Sequence, residues 1–286
     1  MSRAHRTDYD EATTARCERA LVTLLGDLGP WRERIYLAGG LAPRYLVGGL
    51  PEGARAHVGT TDVDLVIGLA LDDETADTYR TLQNNLQKAD FKQGQPSFRW
   101  SRGVDGVKVI LEFLCETDAV EPGQIFKPKG EGTGAKFGAF NVRGAHLARD
   151  DYIERELESE RLDGGGQSRV TVRIANLLPY TVLKILAFQD RHENKDAYDL
   201  VFTLLHAGDG PSAAGEAARS SPVAGNSQVA EALVLLEERF GDVEQDGPNA
   251  YGLFLADKDD DEGRARLRRE AVATVRAFLL GFRNSG

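Results

Sequence analysis

The run Asp62–Ile67, DVDLVI, limits the folds open to this chain more than any other stretch. Val63, Leu65, Val66 and Ile67 have the β-branched and aliphatic character of a strand entering a core. A strand that needed only packing would not carry two carboxylates at its mouth, yet Asp62 and Asp64 stand there two residues apart. Side chains at i and i+2 on a strand share a face, so the two acids project together. Either they are solvated acids at an exposed strand end, or a cation lies between them and relieves their repulsion. Magnesium suits such a pair, because it takes carboxylate oxygens together with substrate phosphates and waters. In two-metal sites such ions, about 3.5–4 Å apart, stabilise both oxygens of an in-line phosphoryl displacement.

Periodicity supplies the setting. Apolar residues recur at helical spacing over residues 8–28 (Cys17, Ala20, Leu21, Leu24, Leu25) and stop at Gly29-Pro30. A short strand over 34–38 breaks at Gly39-Gly40, a helix-like LAPRYLVG follows, and a Gly-rich loop leads to the acidic strand. Asp72, Asp73 and Glu74 open an amphipathic helix reaching about Ala89, with acids where a helix N-terminus favours them. Strands SFRWS and VKVILEFL follow, joined by a turn at 103–106. Residues 121–138 read as a loop, ESERLDGGGQS from Glu158 as a break, and GDGPSAAGEAARSSPVAG from Gly208 as a flexible connector. Beyond a strand RVTVRIA, helices are expected at 179–190, 194–206, 226–240 and 260–282. This order implies an α+β protein with a mixed-sheet domain over residues 1–150 and a mainly helical domain over residues 151–286.

Further residues carry candidate chemistry. Glu112 sits mid-strand among Val109, Ile110, Leu111 and Phe113. It joins the acid cluster if its strand lies beside DVD; otherwise it belongs to a solvated sheet face. The Gly39-Gly40 pair between strand and helix is a plain tight turn or a place where backbone N–H groups meet an anion. No GK[ST] follows it, so it is not a Walker A loop. Lys184 interrupts an otherwise apolar helix, either as a snorkelling lysine or as a point charge aimed at a phosphate. Asp196 and Asp199 share a helix face at i and i+3; the helix N-terminus accounts for Asp196 but not for Asp199, which lies too far in.

A net charge of −10 excludes nucleic-acid binding through a broad basic surface and leaves only a local basic groove. No apolar run approaches the length of a membrane span. The N-terminus lacks the apolar core of a secretory signal. Cys17 and Cys115 show no CxxC or Cys/His metal spacing, which fits two buried thiols in a reducing cytoplasm.

Taken in order, Gly39-Gly40, then Thr60, Asp62 and Asp64 as T-x-D-x-D, then Lys184, Arg191 and K-D-x-x-D-L (Lys195, Asp196, Asp199, Leu200), resemble the AbiEii/MenT-type nucleotidyltransferase toxins of the DNA polymerase β-like superfamily. The resemblance covers about residues 35–205. It implies a bilobed protein, a polymerase β-like mixed-sheet domain followed by a helical one, that binds NTP–Mg²⁺ in a cleft between the two. It further implies transfer of a nucleotide to an acceptor such as the tRNA 3′ end, and neutralisation by a cognate antitoxin in a toxin–antitoxin or phage-defence system. On this resemblance Gly39 and Gly40 hold phosphate, Thr60 shapes the metal loop, and Asp62 and Asp64 bind Mg²⁺; Glu112, if its strand lies beside theirs, is a third ligand or a base. Lys184 and Arg191 contact the nucleotide, and one of Asp196 or Asp199 completes the site. Val58 stands where members of the family often carry an arginine. Two other readings stay open: the same chemistry on a small aminoglycoside-like molecule or a protein hydroxyl, and a non-catalytic nucleotide-binding interaction protein.

Overall fold

The computed structural model describes residues 5–68, 76–128, 137–162 and 164–284. The chain forms two compact units: a sheet unit of Asp10–Ala42 and Gly59–Ala175, and a helical unit of Met1–Tyr9, Pro43–Val58 and Asn176–Gly286. In chain order the elements are α1 (Glu11–Asp27), β1 (Ile35–Ala38), α2 (Pro43–Leu46), β2 (Asp62–Ile67), α3 (Ala76–Lys88), β3 (Lys92–Gln93), β4 (Arg99–Val104), β5 (Val107–Cys115), β6 (Ile125–Phe126), β7 (Ala139–Asn141), α4 (Leu147–Asp150), β8 (Tyr152–Glu160) and β9 (Gln167–Ala175). They continue with α5 (Leu177–Arg191), α6 (Asn194–His206), α7 (Pro211–Arg219), α8 (Ser227–Phe240), α9 (Asp246–Leu255) and α10 (Asp261–Arg283). The acids Asp72, Asp73 and Glu74 lie outside the described residues.

Within the sheet unit the strands run β3-β4-β5-β2-β1-β9-β8, with β6 and β7 attached beside β5. The sheet is mixed: β2 is antiparallel to β1 and parallel to β5, and β1 is parallel to β9. The apolar character of β2 explains its interior position. Val63 and Leu65 are fully buried, as are Leu111 and Phe113 on β5. Helix α1 covers the sheet with Cys17, Leu21 and Leu24, all fully buried. It starts where the Asp10 carboxylate accepts the Thr13 N–H at 2.7 Å, an N-cap that satisfies one of the otherwise unpaired first-turn donors.

In the helical unit α6 spans the expected residues, and α5 begins slightly earlier than expected, capped by Asn176, whose side chain accepts from Leu177 N–H at 2.8 Å. The expected connector after Gly208 is instead helix α7. Its small residues serve close helix packing: a Cβ on Gly215 would fall 2.1 Å from the Phe278 carbonyl oxygen of α10. Helix α9 also stands where no helix is expected from the sequence.

The expected division at residue 150 needs correction in two places. Strand β8 pairs with β9 over nine residues, and β9 pairs with β1 through Tyr36↔Arg173 and Leu37↔Ile174, so the sheet unit continues to Ala175. Backbone hydrogen bonds hold these strands in the sheet, and of the expected break over 158–168, Glu158–Glu160 lie in β8 and Gln167–Ser168 in β9. The charge-rich β8, YIERELESE, shows almost no apolar alternation because it is an edge strand with Leu157 as its one buried residue. Conversely, Pro43–Val58 belongs to the helical unit, where α2 meets α6 and the Val58 N–H donates to the Tyr198 hydroxyl at 3.0 Å. Among the described residues, no helix is long and apolar enough to cross a membrane.

Candidate active site

The alternation of β2 decides where its acids point. Asp62 and Asp64 are half-buried, whereas Val63 and Leu65 between and beyond them turn into the core. Residues paired across adjacent strands project to the same face, and Asp64 pairs with Glu112 of β5. Glu112 in turn pairs with Arg99 of β4. Asp64, Glu112 and Arg99 therefore form one line across three strands, with Asp62 one step along on the same face. Arg99 Nε donates to Glu112 Oε1 at 2.6 Å, and its side chain is 48% exposed.

Two neighbours fix the aspartates. The Thr60 hydroxyl donates to Asp62 Oδ1 at 2.8 Å, and the Thr60 N–H donates to the Thr14 hydroxyl of α1 at 3.1 Å. The loop before β2 is thus tied to the helix beneath the sheet. Ala38, the last residue of β1, pairs with Asp64, and the chain then turns through Gly39 with φ +62°. A Cβ on Gly39 would lie 1.7 Å from Asp64 Oδ2, so glycine is required twice over, for the left-handed backbone and for the carboxylate resting against it. Gly40 follows, buried, in the same turn.

The helix-borne candidates meet in a second cluster, wholly inside the helical unit. Asp196 is 1% exposed and Asp199 fully buried. Lys184 Nζ donates to Asp199 Oδ2 at 2.8 Å and to Asp196 Oδ1 at 3.2 Å. Arg191 grips Asp196 with both Nε and Nη2, at 2.6 and 2.8 Å. Asp199 Oδ1 bonds Lys195 and, at 2.8 Å, His57 Nε2. All four carboxylate oxygens are engaged. Burial alone would raise both carboxyl groups, but Lys184 beside them, with Arg191 at Asp196 and Lys195 at Asp199, outweighs it and holds both below the usual carboxylate range. Burial would lower Lys184, yet Asp199, Tyr180 and Asp196 hold it well above the ordinary lysine value. His57 is pushed down to about 4 by burial and by Lys195, against the pull of its Asp199 bond, and so stands neutral at pH 7. Its ring stacks on Tyr198 and meets Phe202 edge-on.

The structure therefore brings Asp62, Asp64, Glu112, Thr60 and Gly39 together in the sheet unit, and Lys184, Arg191, Asp196 and Asp199 together in the helical one. Lys184 does not snorkel: it is 6% exposed and closes two ion pairs. Asp196 does lie in the first turn of α6, where an acid suits the helix N-terminus, and it also faces Arg191 and Lys184. Arg99, Thr14 and His57 take part without having been singled out. Arg99 could have been found from strand pairing once β4 and β5 were read as a hairpin; His57, alone in a loop, carries no pattern. Among the described residues no group of three or more His, Cys, Asp or Glu side chains could hold a metal ion. Comparison with protein-family models, curated proteins and solved structures finds no match for this chain.

Proposed function

We propose that this chain is a magnesium-dependent nucleotidyltransferase of the AbiEii/MenT type, moving a nucleotide from an NTP to an acceptor, with the tRNA 3′ end as that acceptor and with the role of a toxin restrained by an antitoxin. The observation that carries this reading is the line of acids on one sheet face: Asp62 and Asp64 on β2, with Glu112 in register on β5, beside the Gly39-Gly40 turn. The donor set fits magnesium. It offers hard carboxylate oxygens only, and this ion is commonly bound through one or two carboxylates, with waters and substrate phosphates filling the rest of its shell.

Asp62 and Asp64 would hold the ion, which supplies charge neutralisation at the phosphoryl group being transferred. Thr60 orients the Asp62 carboxylate through its 2.8 Å bond, and Gly39 leaves space for Asp64. The bare backbone of Gly39 and Gly40 lets phosphate oxygens approach the turn. The acceptor hydroxyl attacks the α-phosphorus, the α–β phosphoanhydride bond breaks, and pyrophosphate leaves. Glu112 would take the hydroxyl proton. In this reading Lys184 acts as a buried tie between α5 and α6, closed in by two aspartates, and not as a point charge on the triphosphate.

The test is direct: purified protein, Mg²⁺, each labelled NTP in turn, and total tRNA. Label on tRNA that disappears in Asp62→Asn and Asp64→Asn supports the proposal. Label on a small molecule or on protein keeps the chemistry and changes the acceptor. Transfer within a few-fold of wild type in either variant, or no label from any NTP on any acceptor, removes the reading.

A further inference from the structure

We infer that Arg99 is a phosphate-contacting residue for the nucleotide, held by Glu112 until the metal–nucleotide complex arrives; the inference rests on the nucleotidyltransferase reading above. Arg99 is the one cation in the line Asp64–Glu112–Arg99. Neighbouring strands lie roughly 4.8 Å apart, so the Arg99 backbone sits about two strand spacings from that of Asp64. The buried ring of Phe98 supports it, with the guanidinium carbon 5.2 Å from the ring centroid. Only Nε is committed, to Glu112. Among the described residues the two Nη atoms donate to no other group.

Electrostatics gives this arrangement two states. Without metal, Asp62, Asp64 and Glu112 line one sheet face, and the Arg99–Glu112 pair offsets part of their charge. A divalent cation drawn to Asp62 and Asp64 supplies positive charge from the other side. It repels Arg99 across the same sheet face and so weakens its pair with Glu112. The triphosphate that arrives with the ion offers the released guanidinium a more highly charged acceptor, matched in shape to its planar fork. The alternative is an ordinary cross-strand ion pair, indifferent to ligands.

The two accounts differ in sign as well as size. Arg99→Met keeps the apolar stem over Phe98 and removes the charge. Two affinities are measured on the full chain: Mn²⁺ alone by electron paramagnetic resonance, and a non-hydrolysable NTP with Mg²⁺ by calorimetry. The inference expects Mn²⁺ to bind Arg99→Met more tightly than wild type, because a positive charge on the same sheet face is gone. It expects the metal–nucleotide complex to bind about 10-fold more weakly or worse, as for a lost hydrogen bond to a charged group. Arg99→Lys, which keeps charge but loses the fork, should fall between the two and serves if the methionine variant is perturbed in melting temperature. Acceptor tRNA without nucleotide is the third arm, since its phosphodiesters offer similar chemistry. Weakened tRNA binding with unchanged nucleotide binding overturns the assignment to the triphosphate. Both affinities unchanged, or both lowered, reduces Arg99 to a structural ion pair. Wild-type protein that fails to bind any metal–nucleotide complex removes the parent reading, and this inference with it.

Discussion

The sheet face and the core of the helical unit each gather aspartates around cations, and burial separates their chemistry. Around Asp196 and Asp199 water is excluded, and every carboxylate oxygen has a lysine, arginine or histidine partner. An uncompensated charge in such surroundings is strongly unfavourable, so the cluster must be closed to exist at all. On β2 and β5 the acids are half-buried, and among the bonds that orient them are one from a threonine hydroxyl and one from a half-exposed arginine. Water can stand in for those partners, which makes exchange for a metal or a phosphate energetically accessible. A carboxylate's availability thus follows from its burial and its partners, not from the motif that contains it.

The sharpest way to break this contrast is Lys184→Met. It leaves Asp199 and Asp196 buried without their shared ammonium, and the free energy of unfolding should fall by about 3–5 kcal/mol in urea titrations. A loss below about 1 kcal/mol would mean that the cluster is looser than its geometry.

Acid offers the next largest effect. His57 is held at about 4 against an ordinary 6.5. Between those values the unfolded chain takes up a proton that the folded chain refuses, so stability falls as pH drops through that window. The loss is on the order of 3 kcal/mol. His57→Gln should flatten the slope, leaving the same-signed contribution of His206, which burial also lowers. Asp196 and Asp199 behave as depressed carboxyls: their contribution is present above about 3.8 and is lost as pH falls below it. His146, raised mainly by its hydrogen bond to Glu116, acts in the opposite direction, its contribution fading as pH rises above 6.5. Identical urea midpoints at pH 7 and 4.5 would contradict the reading of a neutral, buried His57.

On the sheet side the expected stability changes are smaller and the functional ones larger. Gly39→Ala forces a left-handed alanine, costing roughly 1–2 kcal/mol. Its new methyl also displaces Asp64, so divalent-ion affinity should drop while the fold persists. Unchanged Mn²⁺ affinity in a folded Gly39→Ala protein would detach Asp64 from the site. Smallest of all, Asp62→Asn and Asp64→Asn should stay within about 1 kcal/mol of wild type, because half-exposed acids that repel one another contribute little to folding. A loss of 3 kcal/mol in either would make the sheet acids structural and erase the difference between the two regions.

The sequence by itself determined what short-range periodicity encodes. It placed β2 and β5 as strands, Asp62 and Asp64 on a common face, and α6 at its observed limits, because side-chain direction repeats every two residues in a strand and every 3.6 in a helix. The mixed α+β character was legible for the same reason. Tertiary structure decided what depends on remote partners. Strand register set Glu112 beside Asp64 and Arg99 against Glu112. Sheet pairing claimed the charge-rich β8, whose own residues carry scarcely any strand signal. Close packing made a helix of Pro211–Arg219, where the composition reads as a linker. His57 meets Asp199 across 142 residues, and Lys184 takes two buried aspartates in place of solvent or an incoming phosphate. Such pairings follow from which groups the fold removes from water, since a buried charge must find its partner wherever the chain brings one, and no local pattern records that choice.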